Sequence, residues 1–110
     1  MIQITLNING ARRVYKSTGV RMRACLEAYR LGEEYEKCGG EYPEELIERC
    51  IEFVLEAFDR AFTRDELLDG YEGSPFALFP QLIREVIGYA NDRIVDFPIP
   101  AARATATRDA

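Results

Sequence analysis

The chain contains no histidine and no tryptophan. Without imidazole there is no Ser-His or Cys-His nucleophile, no imidazole base and no HExxH zinc site. The phosphate-cradling patterns GxGxxG and GxxxxGK[ST] are missing as well, and Gly70-Tyr71-Glu72-Gly73 is two glycines three apart without that meaning. No apolar run reaches the roughly 18 residues that a transmembrane helix needs, so no membrane partner is expected. The opening MIQITLNING has neither a basic n-region nor an apolar h-region, and a cytoplasmic location in the host cell is the expectation. Cys25, Cys38 and Cys50 form no CxxC pair and read as reduced thiols, two of them at helix-core spacing. Carboxylates remain for acid–base work, but they crowd solvent-facing helix positions where nothing raises a pKa toward that of a general acid. No enzyme activity, cofactor or metal is expected.

What is present is a 110-residue chain, 47 % hydrophobic and 30 % charged, which suits one globular domain with a single modest core. The net charge of −5 is unevenly spread. Residues 11–30 hold Arg12, Arg13, Lys16, Arg21, Arg23 and Arg30 against a lone Glu27, which leaves the rest of the chain strongly acidic. An acidic whole argues against general nucleic-acid affinity.

Ile2, Ile4, Leu6 and Ile8 alternate with polar residues, the period of a half-buried strand. Asn9-Gly10 is a strong hairpin signal, because a type I′ turn needs φ > 0 at both positions. A two-residue turn sets Tyr15 opposite Ile4 and Arg13 opposite Leu6, leaving an arginine on the apolar face. A longer turn points Val14 inward instead, and the pattern alone leaves both registers open. After Ser17-Thr18-Gly19 a helix is expected over residues 20–37, burying Met22, Cys25, Leu26 and Tyr29, with Ala24, Ala28, Leu31 and Tyr35 widening the stripe. Gly39-Gly40 ends it. A central helix over residues 43–62 opens at Pro43 and buries Ile47, Cys50, Ile51, Val54, Phe58 and Ala61.

Residues 62–90 carry the densest local signals. Thr63 and Glu66 form a capping-box pattern for a short helix over 63–69, and Gly70 stands where a left-handed C′ glycine would stop it. Ser74-Pro75 and Pro80 can each open the next helix, which is placed over 80–94 and buries Phe79, Leu82, Ile83, Val86, Ile87 and Ala90. The fold expected is α+β and mainly α: an N-terminal β-hairpin, three main helices, one short helix and a mobile C-terminal tail from Pro98.

Two surface features stand out. Glu44, Glu48, Glu52 and Glu56 step by four along the central helix, flanked by Glu41 and Asp59. Like charges at that spacing cost about 0.2–0.5 kcal/mol each. Either basic groups sit opposite, with Arg21, Arg23 and Arg30 as candidates, or the face is simply solvated, or it awaits a basic partner. Binding of a metal by these glutamates ranks below all three, since helical carboxylate sites usually carry a Glu-x-x-His. Among the aromatics, Phe53, Phe58, Phe62, Phe76, Phe79 and Tyr89 fit the buried stripes. Tyr71 and Phe76 flank the acidic turn between two helices and are candidate exposed anchors, aromatics being enriched at binding hot spots.

ITLNING, LIERCIEFVLEAF, FTRDELLDGY and LFPQLIREVIG follow one another in this order, with Phe79-Pro80 as the step into the last helix. Over residues 2–90 the chain resembles the tail assembly chaperones of long-tailed, siphovirus-type bacteriophages and prophages. A single domain of this kind is expected over residues 1–97, and the flexible tail over 98–110 has no part in the resemblance. It implies a non-enzymatic protein that binds the tape measure protein while the tail is built, helps recruit tail tube subunits and is absent from the mature virion. The tube protein would be reached through a frameshifted longer form. No binding residues carry over with the resemblance, so Tyr71, Phe76, Glu44, Glu48, Glu52 and Glu56 are candidates read from this sequence. Self-association fits the hairpin edge and the amphipathic helices. The alternative is a small phage or bacterial regulator binding nucleic acid through its basic N-terminal segment.

Overall fold

A computed structural model describes residues 2–17 and 19–96, with side chains through Asn91. The expected mobile tail from Pro98 lies outside the described residues. Strands β1 (Ile2–Ile8) and β2 (Ala11–Ser17) form an antiparallel hairpin joined by Asn9 and Gly10, whose φ values of 55° and 82° suit a two-residue turn. The register is Ile4 with Tyr15 and Leu6 with Arg13. Ile2, Ile4 and Leu6 are buried, yet Arg13 on the same face stays exposed. The helices cover β1, and β2 overhangs them, so an arginine on the inner face still meets water. Tyr15 anchors β2 to the core, its ring 4.9 Å from that of Phe62.

Helix α1 (Met22–Lys37) buries only the part of the expected stripe that was read as widening it. Ala24, Ala28 and Leu31 are buried, whereas Met22, Leu26 and Tyr29 are exposed and Cys25 is half-buried. The cause is close packing. The alanine face and Gly32, where an added Cβ would stand 3.3 Å from Ile83 Cγ2, let α1 lie tightly on the last helix. Bulky Met22 and Leu26 could not occupy that seam.

Helix α2 (Glu44–Ala57) is the core element, burying Leu46, Cys50, Ile51, Phe53, Val54, Leu55 and Ala57. Pro43 is its N-cap rather than its first helical residue. It ends five residues short of the expected Phe62, in a Schellman arrangement: the Asp59 amide donates to the Glu56 carbonyl (3.0 Å) and the Arg60 amide to that of Leu55 (2.8 Å). Asp59 and Arg60 hold left-handed φ values of 55° and 54°, which side-chain-bearing residues adopt only at a cost. Phe58 and Phe62 are still buried, their rings tilted by 46° at 5.6 Å, while Ala61 is exposed.

Helix α3 (Arg64–Gly70) starts with the expected capping box: Thr63 Oγ1 accepts from the Glu66 amide and the Glu66 carboxylate accepts from the Thr63 amide. Its end corrects the sequence reading. Gly70 is the last helical residue and does not have positive φ. A Cβ there would lie 2.7 Å from the Asn7 carbonyl oxygen, so the glycine serves the close approach of α3 to β1.

Helix α4 (Pro75–Asp96) opens at Pro75, five residues before the placement at Pro80. Ser74 Oγ accepts from the Phe76 amide and caps the start. Pro80 lies inside the helix, where its missing N–H leaves the Phe76 carbonyl without its helical donor. The Tyr35 hydroxyl donates to that carbonyl at 3.4 Å. A side chain from α1 thus supplies what the proline removed. Leu78, Phe79, Leu82, Ile83 and Val86 of α4 complete the core.

Candidate partner-binding surfaces

The folding of α3 back beside α2, and of α4 away from α3, leaves an apolar groove of about 250 Å3 between them. Ile47 and Ile51 of α2, Leu67 and Leu68 of α3, Tyr71 of the connection, and Leu78 and Phe79 of α4 line it. Its floor is core, since Ile51, Leu67, Leu78 and Phe79 are buried, but Leu68 on the rim is 49 % exposed. The volume falls below the usual small-molecule range and matches a few inserted side chains. Tyr71 is half-buried on this wall, packed on the core cluster.

Phe76 belongs to a different surface. Its ring stacks on Tyr42 (5.4 Å, 18°), which stacks on Tyr35 (4.3 Å, 22°), and it remains 47 % exposed. Burial, with the neighbouring Tyr42 hydroxyl adding to it, pushes the Tyr35 phenol up to about 12. The turn over residues 69–76 is therefore not one edge: Tyr71 faces the groove and Phe76 faces the aromatic stack.

The acidic ladder meets arginines, though not the ones expected on α1. Arg64 grips Glu48 with both terminal nitrogens (2.6 and 3.0 Å), and Arg60 reaches Glu52 (3.0 Å) and Glu56 (3.1 Å). The Arg64 fork holds the Glu48 carboxyl below its ordinary value. Glu44 has no ion-pair partner among the described residues. Arg49, on α2 itself, ties α1 to α2 by bonding Glu34 (2.7 Å) and Glu27 (3.3 Å). These pairs are largely solvent-exposed, so each adds little stability. The basic segment is partly matched within the chain too: Arg21 pairs with Asp59 at 3.2 Å and Arg12 with Glu72 at 3.7 Å.

Among the described residues no group of His, Cys, Asp and Glu side chains could hold a metal ion, and no helix is long and apolar enough to cross a membrane. The family model described as phage tail chaperone protein matches residues 1–94. The chain belongs to that phage tail chaperone family. No curated protein and no solved structure matches it.

In this tail chaperone the match spans both candidate surfaces and reaches into every element described. Three features of its surface escaped the sequence reading. Leu68 was passed over because an isolated leucine in a short helix has no periodic context. Tyr42 lies in a loop, where periodicity says nothing. The solvent-facing stripe of Met22, Leu26 and Tyr29 on α1 was assigned to the core, although the alanines on the opposite face were the signal for close packing. Burial pushes the Cys50 thiol up to about 11 and raises Cys25 as well, away from the reactive thiolate.

Proposed function

We propose that this tail chaperone binds the tape measure protein through the groove between α2, α3 and α4. It holds that long helical client soluble while the tail is built, and helps bring tail tube subunits to it, in the host cytoplasm and without entering the mature virion. Contact with the tube protein would run through a longer form extended beyond the residues described. The observation that carries the reading is the groove itself. In a family of chaperones, an apolar slot with a half-exposed leucine on its rim suits the side chains of an amphipathic helix. Exposed Glu44, in the first turn of α2, would favour basic client segments.

Co-expression tests it. The tape measure protein should be soluble and co-purify only when this chain is present. Leu68→Glu, at an exposed position, should abolish co-purification while leaving the thermal melt of the chaperone unchanged. A client that stays insoluble with the wild-type chain, or binds Leu68→Glu as well as wild type, refutes the reading.

A further inference from the structure

Gly73 lies in the turn between α3 and α4, exposed and without a left-handed backbone. Its own conformation therefore does not call for glycine. A neighbour does. A Cβ at this position would stand 2.9 Å from Tyr71 Oη and 3.0 Å from both Cε2 and Cζ of that ring. These separations are inside van der Waals contact, so the outer end of the ring rests on the bare α-carbon of Gly73. The Tyr71 amide is fixed by donating to the Leu67 carbonyl at 3.1 Å, but its hydroxyl has no hydrogen-bond partner among the described residues. Packing alone keeps the ring in this seat.

The seat matters because of what lies on either side. Tyr71 lines the groove between α2, α3 and α4, and also a second depression of about 230 Å3 between β1 and α4. Gln3, Ile4 and Thr5 form one side of that depression, and Leu78, Gln81 and Leu82 the other. Tyr71 and Leu78 are common to both hollows, and of the two only Tyr71 is not fully buried. The Tyr71 side chain is thus the partition, and the outline of the groove depends on where its ring rests.

We propose that Gly73 is a positioning residue for client binding, keeping clear the seat in which the Tyr71 ring forms a wall of the groove. This rests on the groove being the docking site of the tape measure protein, as argued above. Any side chain at position 73 unseats the ring. Turned toward the groove, the ring fills volume that the client's apolar side chains need. Turned toward β1, it withdraws the surface on which they pack. Both displacements lower the affinity, while the fold loses little, because the obstructed atoms are the far end of a rotatable side chain.

Binding of the tape measure protein by the wild type, Gly73→Ala, Tyr71→Leu and the double variant tests this, with a thermal melt of each. Gly73→Ala should bind roughly tenfold or more weakly, the scale of a one-carbon misfit in an apolar pocket, with its melt not lowered. Leucine lacks Oη, Cε2 and Cζ, so in the already weakened Tyr71→Leu chain the added Gly73→Ala should cause no further loss. In the free chain labelled with 3-fluorotyrosine, the fluorine resonance that Tyr71→Leu lacks should shift in Gly73→Ala. Four results overturn the proposal: a Gly73→Ala chain that binds like wild type, an equal loss in both backgrounds, an unmoved fluorine resonance, or a melt lowered in both backgrounds. A wild-type chain that binds no client refutes the groove reading and this one with it, whereas wild-type binding with any of those four results refutes this one alone.

Discussion

Replacing Gly70 and Gly88 with alanine, one at a time, should move stability in opposite directions. Both glycines lie in helices, at the end of α3 and inside α4. Alanine is the better helix former by about 1 kcal/mol, so propensity alone favours both changes. Nothing lies within 4 Å of a Cβ placed at Gly88, and that substitution should stabilise by roughly 0.5–1 kcal/mol. At Gly70 the methyl would stand 2.7 Å from the Asn7 carbonyl oxygen and 3.3 Å from its nitrogen. Both atoms are backbone of β1 and cannot swing aside, so α3 must back away from the strand. Overpacking of this kind costs about 1–3 kcal/mol, which the propensity gain only partly offsets. A net loss of about 1–2 kcal/mol corresponds to a fall in Tm of roughly 5–15 °C for a domain of this size. Urea unfolding should show the midpoint shifting at constant m-value. Gly70→Asn separates two explanations: a left-handed C′ position tolerates asparagine, whereas a steric contact with Asn7 does not. A Gly70→Ala chain as stable as wild type, or an asparagine variant better tolerated than alanine, refutes the steric account.

Tyr35→Phe should cost about 0.5–1.5 kcal/mol by removing the donor to the Phe76 carbonyl, and less in a Pro80→Ala background where the helix regains its own donor; a double-mutant cycle with no coupling would sink this. The Tyr35 phenol, raised to about 12, should ionise late in an ultraviolet titration of the folded chain, and that component should vanish in Tyr35→Phe. Because its folded pKa exceeds the unfolded one near 10, its stabilising effect is present below pH 10 and lost as pH rises through about 12. Glu48 is shifted the other way, so its contribution is present at neutral pH and fades as pH falls through its lowered pKa. Acid-unfolding curves of Arg64→Ala should therefore be shallower than wild type. Phe76→Ala should lose about 0.5–1.5 kcal/mol of stacking on Tyr42 yet keep the groove, so client binding should survive it and fail in Leu68→Glu.

Strand alternation, Asn9-Gly10 and the Thr63/Glu66 capping box were all legible, because each is decided by a few neighbouring residues. The errors share a different cause. Pro80 read as a helix start because local grammar cannot see Tyr35, 45 positions earlier, waiting to satisfy the carbonyl that the proline frees. Gly70 read as a stop because its real neighbour, Asn7, is distant in sequence. The expected α1 stripe was too wide for the same reason: which of two apolar faces is buried depends on how closely the partner helix approaches. Of the candidate site, Tyr71 was read as an exposed anchor but is half-buried on the groove wall, and separating it from Phe76 required knowing where Tyr42 lies. The arginines answering the glutamate ladder come from the α2–α3 turn and from α3, which only the tight turn after α2 brings round.

That turn has a consequence for the groove. Asp59 and Arg60 hold left-handed backbone without the freedom of glycine, and their side chains are tied by Arg21 on one side and by Glu52 and Glu56 on the other. These pairs, together with Arg64 on Glu48, tie the turn and the start of α3 to α2 through contacts that dissolved ions weaken. The expected outcome is a slot narrower in dilute buffer than in concentrated salt. Spin-label distances between exposed positions on α2 and α3, followed across a salt series, would record that opening; a separation independent of salt would assign the angle to backbone and core packing alone.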